Sequence, residues 1–370
     1  MRIINVVGAR PNFMKISPVM AAMKNNPDFD PVLIHTGQHY DNNMSDQFFK
    51  ELNIPPADIN LNIGSDSQAK QVARIIDKFE DVCKDIRPDA VLVVGDVNST
   101  MACSIVASKA GIKLIHLEAG LRSYDRSMPE EINRLVTDTL ADLLLTPSKD
   151  ADKNLLKEGI SPDKIVCVGN IMIDTLYQFL PLSEKSTIIE KHRLKEKEYI
   201  LLTLHRPSNV DNKEQLKKLL DAFSVIQKQI PIIFPVHPRT LKNIHSFGLM
   251  KLIKSMPWLI IENTLGYLDF QRLMSCSRLV ITDSGGIQEE TTVLKIPCIT
   301  LRENTERPIT ITMGSNVLVG KDTDKLLRCV MNVLQGKWKK GKIPEQWDGK
   351  TAQRVITAIY HKFLFIRENL

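Results

Sequence analysis

Twice along this chain, short and continuously apolar runs alternate with segments of helical periodicity, and that alternation restricts the fold more than any other feature. IINVV (residues 3–7) precedes PNFMKISPVMAAM, and PVLIHTG precedes QAKQVARIIDKFEDVCKDI. AVLVVGD, KLIHLEAG, DTLADLLLTPS and KIVCVGN follow, with the small-residue segment MACSIVASKA among them. Val72, Ile75, Ile76, Phe79, Cys83 and Ile86 recur at helical spacing and mark one face. Strands that are apolar throughout are covered on both sides, so this pattern predicts an α/β fold with a parallel sheet between layers of helices.

A second set begins near Tyr199 with YILLTLHRPSNV, and PIIFPVHP, LIIEN, LVITDSGG, PCITLR and NVLVG continue it. The intervening LSEKSTIIEKHRLKEKE is polar and rich in charge. A chain of 370 residues also exceeds the size of about 250 at which single cores stop growing. Two doubly wound, Rossmann-like domains are therefore expected, residues 1–170 and 171–350. TAQRVITAIYHKFLFI, within residues 351–370, is expected to return as a helix to the first domain. Facing each other, two such domains would form a cleft at the carboxyl ends of their strands, where open α/β sheets bind ligands. GARPN, TGQH, GDVNST, HLEAGLRS, LHRPSN, VHPR and TDSGG all follow expected strands, which argues for one shared site.

Composition narrows the partners. The formal charge of +6 suits an acidic small substrate, a polyanion or a solvated basic surface. The basic residues form no Arg-rich stripe, and GKWKKGK (residues 336–342) reads as a solvated connection, so nucleic acid is not an expected partner. Six dispersed cysteines without a CxxC pair read as reduced structural thiols. MRIINVVGAR reads as a strand and loop, and no apolar run reaches the 18 or so residues that a membrane span requires. The expected location is cytoplasmic, without membrane insertion. No complete G-x-G-x-x-G follows the first strand, and no G-x-x-x-x-G-K-[ST], HExxH or paired Cys/His cluster occurs. No dinucleotide, P-loop nucleotide or metal site is expected.

The charged residues at strand ends are the candidates for chemistry. Asp96 closes AVLVVG and Glu118 follows KLIHL, so two carboxylates stand after buried strands. Neighbouring carboxylates raise one another's proton affinity and suit proton transfer. In PEEINR, Glu130 and Glu131 equally suit the positive end of a helix. His205 and Arg206 close a strand of the second set, while Arg10 and Lys15 put cations at a helix start, a position that an anion would justify. Arg302 and Arg307 form another cationic loop. TDSGGIQEE sets amide-exposing glycines beside Glu289 and Glu290, one half inviting an anion and the other repelling it. These residues suit a phosphorylated substrate that needs proton transfer, without identifying it.

Read in order, GARPNFMKISP, TGQH, HLEAGLRS, PEEINR, HR--N and TDSGGIQEE–TERP resemble the non-hydrolysing UDP-N-acetylglucosamine 2-epimerase family. The resemblance implies a glycosyltransferase-B-like pair of Rossmann-like domains, commonly a homodimer, requiring no nicotinamide, flavin or metal. It implies reversible C2 epimerisation of UDP-N-acetylglucosamine to UDP-N-acetylmannosamine, through UDP elimination and bound 2-acetamidoglucal. Asp96, Glu118 and Glu130 match the catalytic carboxylates and His205 the histidine that serves the diphosphate. Arg10, Lys15, Ser284, Gly285, Gly286 and Arg307 match UDP-side residues, and Glu290 the carboxylate on the ribose hydroxyls. Gln38 and His39 match a regulatory region, although the chain then departs as YDNNMSD. Ser208, in HRPSN, replaces a carboxylate common in the family. A modified UDP-N-acetyl sugar, such as a 2,3-diacetamido uronic acid, is the nearest alternative substrate. A hydrolysing relative, a glycosyltransferase and a non-catalytic nucleotide-sugar-binding regulator are the other readings.

Overall fold

The computed structural model describes residues 1–38 and 56–365. It divides into two compact units, Met1–Gln178 with Glu345–Leu370, and Phe179–Pro344.

The first unit is a parallel sheet. Its strands are β1 (Arg2–Val7), β2 (Asp30–His35), β3 (Ile59–Asn60), β4 (Ala90–Val94), β5 (Lys113–Leu117), β6 (Leu143–Thr146) and β7 (Ile165–Cys167). Their order is β3-β2-β1-β4-β5-β6-β7. The apolar runs behave as expected of strands covered on both faces, and every residue of β4 is buried. Helix Gln68–Ile86 turns Ile75, Phe79 and Cys83 inward onto Ile4, Val91 and Val93. The strand order reverses between β1 and β4, so the loops after these two strands flank the switch point where such sheets bind ligands.

Helix Ile171–Ser183 leads the chain out of this unit, yet its first half belongs there. Ile173 and Leu176 are buried, and the Thr175 hydroxyl donates to the Met14 carbonyl at 2.6 Å. The division therefore falls at 178/179, beyond the expected 170/171. Residues 345–350 also belong to the first unit, not the second. Trp347 is 2% exposed, and its Nε1 donates to the Pro147 carbonyl at 2.9 Å. Asp174 then caps the final helix, Thr351–Ile359, accepting from the Thr351 and Ala352 amides at 3.0 and 2.8 Å. That helix packs on Arg10–Lys24.

The second unit has strands β8 (Ile200–Leu202), β9 (Ile232–Pro235), β10 (Leu259–Glu262), β11 (Leu279–Thr282), β12 (Cys298–Thr300) and β13 (Asn316–Leu318). They are parallel, in the order β10-β9-β8-β11-β12-β13, with the switch point between β8 and β11. Leu216, Leu219, Leu220 and Phe223 of helix Lys213–Ile226 bury one face against Ile200, Ile232 and Phe234. In GKWKKGK the lysines at 337, 339 and 340 are exposed, but Trp338 packs on this core and donates to the Ser315 carbonyl. The segment is thus pinned by its aromatic residue.

All six cysteines are free; burial pushes the Cys83 thiol up to about 12 and Cys298 up to about 11. Among the described residues, no helix is long and apolar enough to cross a membrane, and no group of three His, Cys, Asp or Glu side chains could hold a metal ion.

Candidate active site

Each switch point carries a charged cluster. In the first unit, Val94 of β4 stands opposite Leu117 of β5, so the chain leaves these neighbouring strands side by side at Gly95 and Glu118. The Gly95 amide donates to the Leu117 carbonyl at 3.1 Å. Glu118 has φ 73°, a left-handed backbone that costs a non-glycine residue about 1–2 kcal/mol. The turn is held because the Glu118 and Ala119 amides both donate to the Leu145 carbonyl. A strained, buried carboxylate at a strand end is the kind of outlier from which a functional role is argued.

Glu118 and Lys15 were expected separately, one as a proton-transfer group and the other as an anion holder. They form one buried ion pair, so Glu118 supplies the negative partner at the lysine's position. Asp96 is tied to Arg134 of helix Pro129–Leu140. These two carboxylates are therefore each cation-paired, where the sequence suggested mutual repulsion.

The PEE pair separates into two environments. Glu131 is buried and accepts from the Ser123 amide and hydroxyl and the Tyr124 amide, all at 2.9 Å, and from Arg134. Burial alone would raise Glu131, but these donors hold it below the ordinary carboxylate range. Glu130 is half-buried at the same helix start.

Gln38 is buried, with Oε1 accepting from the Ser99 amide at 3.1 Å and its hydroxyl at 2.7 Å. Its own carbonyl accepts from Gln71 at 3.1 Å. The side chain holds the loops together at the opening of helix Asn98–Lys109. Arg10 opens helix Arg10–Lys24, while its side chain, like His39, lies outside the described part of the structure.

In the second unit Asp283, just beyond β11, is the organising residue. It accepts from the His205 amide at 3.1 Å, the Arg206 amide at 2.9 Å and Asn209 Nδ2 at 3.1 Å. Its carboxylate also lies 2.9 Å from His205 Nδ1. Burial opposes its charge, yet the His205 hydrogen bond and charge, with the amides, hold Asp283 below the ordinary range. His205 thus has its Nδ1 anchored inward while the side chain stays 39% exposed. His237, at the end of β9, places its ring 5.8 Å away, and burial followed by the His205 charge lowers its proton affinity.

Beside Asp283, Ser284 precedes helix Gly285–Val293 without capping it through its side chain. The opening amides of a helix attract anions. A Cβ on Gly285 would stand 2.7 Å from Arg307 Nη1 and 2.9 Å from Glu306 Oε1, so glycine lets the ion cluster pack against the turn. Arg307 pairs with Glu289 at 2.7 Å and Glu306 at 2.6 Å; Arg302 pairs with Glu306 at 2.8 Å. Burial opposes the Glu306 charge, but the two guanidiniums hold that carboxyl well below the usual range.

Glu290, one helical position beyond Glu289, has no such cation beside it in these ion pairs. Its buried Oε1 accepts from the Tyr267 hydroxyl at 3.2 Å. Burial, helped by the Glu289 charge and opposed by Tyr267, pushes Glu290 up to about 7. The two acidic residues of TDSGGIQEE thus do different work: Glu289 neutralises Arg307, and Glu290 accepts from the Tyr267 hydroxyl without an ion pair among the described residues.

These two clusters lie in a chain whose residues 21–360 match the UDP-N-acetylglucosamine 2-epimerase family model. The chain belongs to this family. The Methanococcus maripaludis UDP-N-acetylglucosamine 2-epimerase is 46% identical over 335 residues, 89% of this chain and 91% of that protein. The solved Methanocaldococcus jannaschii UDP-GlcNAc 2-epimerase, in complex with UDP-GlcNAc and UDP, superposes with a TM-score of 0.87 at 42% identity, covering 96% of this chain and 99% of that one. The Pseudomonas aeruginosa UDP-2,3-diacetamido-2,3-dideoxy-D-glucuronate 2-epimerase is 38% identical, covering 88% of this chain and 90% of that protein. The two Rossmann-like parallel-sheet domains accord with the glycosyltransferase-B-like fold of these epimerases.

Within the family frame, the structure brings Lys15, Glu118, Asp96 and Arg134 around the first switch point, and His205, Ser284, Gly285 and Arg307 around the second. Ser208 is exposed on the short helix Pro207–Val210, whereas Asn209 beside it is buried on Asp283 and the Leu301 carbonyl. Sequence reasoning missed Asp283 and Arg134. Asp283 lies inside TDSGG, and Arg134 follows Glu130 by four residues on one helix face, the signals that could have found them.

Proposed function

We propose that this chain reversibly epimerises UDP-N-acetylglucosamine at C2 to UDP-N-acetylmannosamine. The observation that carries the reading is the pairing of strained Glu118, with Lys15, beside the Gly95–Asp96 turn in a chain similar along almost its whole length to such epimerases. In this reading Asp96, Glu118 and Glu130 organise the proton transfers. One carboxylate accepts the C2 proton, the C2–H electron pair becomes the C1–C2 double bond, and the C1–O pair leaves with UDP. Reprotonation of the 2-acetamidoglucal on the opposite face and return of UDP complete the cycle. The sequence is redox-neutral and needs no nicotinamide or flavin.

His205, anchored by Asp283, serves the departing diphosphate by proton donation or charge stabilisation. Arg10, Lys15, Ser284, Gly285, Gly286 and Arg307 serve the nucleotide side, and Glu290 accepts from the ribose hydroxyls. Gln38 and His39 remain candidates for a regulatory region, and the Gln38 hydrogen bonds favour a structural part for that residue. A homodimer in the cytoplasm, supplying precursors for cell-surface polysaccharide, completes the reading.

The Pseudomonas relative favours one second reading, C2 epimerisation of a 2,3-diacetamido uronic acid nucleotide. Proton NMR with UDP-N-acetylglucosamine in D₂O, without added metal or nicotinamide, separates the two. Appearance of the manno epimer with deuterium at C2 and no free sugar supports the first. Saturable binding without exchange, followed by turnover of the diacetamido substrate, supports the second. Binding of both without exchange of either leaves a regulator.

A further inference from the structure

The buried charges behind the first switch point form a chain that the proposed chemistry does not use. His116 lies in β5 at 0% exposure, two residues before Glu118. Its Nδ1 is 2.6 Å from Asp138 Oδ1 and its Nε2 is 2.9 Å from the Gly95 carbonyl oxygen. A carbonyl can only accept, so Nε2 must carry a hydrogen. Asp138 Oδ2 accepts from the Gly120 amide at 3.1 Å and contacts Arg122 Nη1 at 2.7 Å. Arg122 in turn pairs with Glu158 at 2.6 Å. With these donors on its second oxygen, Asp138 turns its first toward His116 Nδ1. Burial opposes the Asp138 charge, while His116 and Arg122 overcome it and hold that carboxyl below the ordinary range.

This side chain links all three elements that carry the candidate carboxylates. It belongs to the strand that ends at Glu118. It holds the carbonyl of Gly95, immediately before Asp96. Through Asp138 it holds helix Pro129–Leu140, whose residues Glu130, Arg134 and Asp138 share one face at four-residue spacing. Arg134 makes a second tie from that face to Asp96. His116 pairs with Asp138, Asp138 with Arg122 and Arg122 with Glu158, while Lys15 and Glu118 lie beside Gly95.

We propose that His116 is a positioning residue that sets Asp96, Glu118 and Glu130 in register for proton transfer. This deepens the epimerase reading and rests on it for its kinetic part. Each ring nitrogen carries one tie, Nδ1 to Asp138 and Nε2 to the Gly95 carbonyl, so loss of the ring or of its partner frees the turn before Asp96. Since displacements of about 1 Å can cost on the order of a hundredfold in rate, a loosened tie should be read in kcat before it is read in binding.

The test uses the full-length protein labelled with ¹⁵N-histidine, the His116 signals being assigned by their loss in His116→Gln. Hydrogen on Nε2 is the expected result; a bare Nε2 overturns the tie to the Gly95 carbonyl. In parallel, His116→Gln and Asp138→Asn should each lower kcat at least about tenfold while UDP affinity stays within about twofold. The double variant should lose little more than the worse single, because both remove one tie. Wild-type kcat in folded Asp138→Asn, or fully additive losses, overturns the positioning role. Asp138→Asn is nearly isosteric, so it carries the kinetic test should His116→Gln fail to fold. Inactivity of the wild type on UDP-N-acetylglucosamine would count against the epimerase reading, while the ring-nitrogen spectrum would still judge His116.

Discussion

Raising the pH from about 6 to about 8 should tighten binding of UDP-N-acetylglucosamine about tenfold, with Glu290 as the group responsible. Glu290 is buried beneath Tyr267 and its carboxyl is pushed up to about 7, against an ordinary 4.5. Ionising it in place thus costs about 3 kcal/mol more than in water. Ribose hydroxyls donate most effectively to the ionised carboxylate, and its population rises from about a tenth to about nine tenths across this interval. The diphosphate of a UDP-sugar has no group titrating there, and histidines near the phosphates act with the opposite sign, since a protonated imidazole attracts phosphate more strongly. Calorimetry in an Asp96→Asn background keeps the ligand unreacted; below pH about 7 it should also detect proton release on binding. Glu290→Gln should bind more weakly at high pH and lose the pH dependence. A flat wild-type profile, or a slope that persists in Glu290→Gln, would refute the assignment. In the unliganded protein the sign is reversed. The folded state binds more protons than the unfolded state between pH 4.5 and about 7, so the stability contributed by this group falls as pH rises through that window.

Asp96→Asn, Glu118→Gln and Glu130→Gln should each slow turnover by about a hundredfold or more while UDP affinity changes little, and wild-type turnover in any one removes that residue from the catalytic set. Asp283→Asn should lower kcat at least about tenfold through loss of His205 orientation; steady-state kinetics at wild-type level would show that the Asp283 contacts serve the fold alone. Gly286→Ala, with nothing among the described residues within 4 Å of the new carbon, should keep the melting temperature and weaken UDP binding, whereas Gly285→Ala should damage both by displacing Arg307 and Glu306. Undiminished UDP binding by Gly286→Ala would remove that turn from the phosphate site. Trp347→Ala should cost about 3–5 kcal/mol in denaturant unfolding, and a loss below about 1 kcal/mol would mean the returning segment is not part of the first core.

The strands and the order of the motifs were legible in the sequence, because a strand buried on both faces is mostly apolar, as β4 shows at every position and β11 at three of its four. The first boundary was less legible. Helix Ile171–Ser183 is helical and apolar on both sides of 178/179, and only the contacts of Asp174, Thr175 and Leu176 assign its first half to the first unit. Residue types at strand ends likewise named Asp96, Glu118 and His205 as candidates, since charge beside a buried strand needs a reason.

What each candidate touches was a matter for the tertiary structure. Lys15 comes from helix Arg10–Lys24 and Glu118 from the turn after β5, Asp283 reaches His205 across β8 and β11, and His116 meets Gly95 in a neighbouring loop and Asp138 in a neighbouring helix. The sequence by itself determined the α/β class, the strand-end loops and the kinds of group they carry, because apolar periodicity and turn chemistry are local. Partnership, and with it the separation of Glu131 from Glu130 and of Glu289 from Glu290, was decided by the fold. Burial and the distance to a donor or a cation set a carboxylate's work, and neither exists until the sheet has ordered its strands.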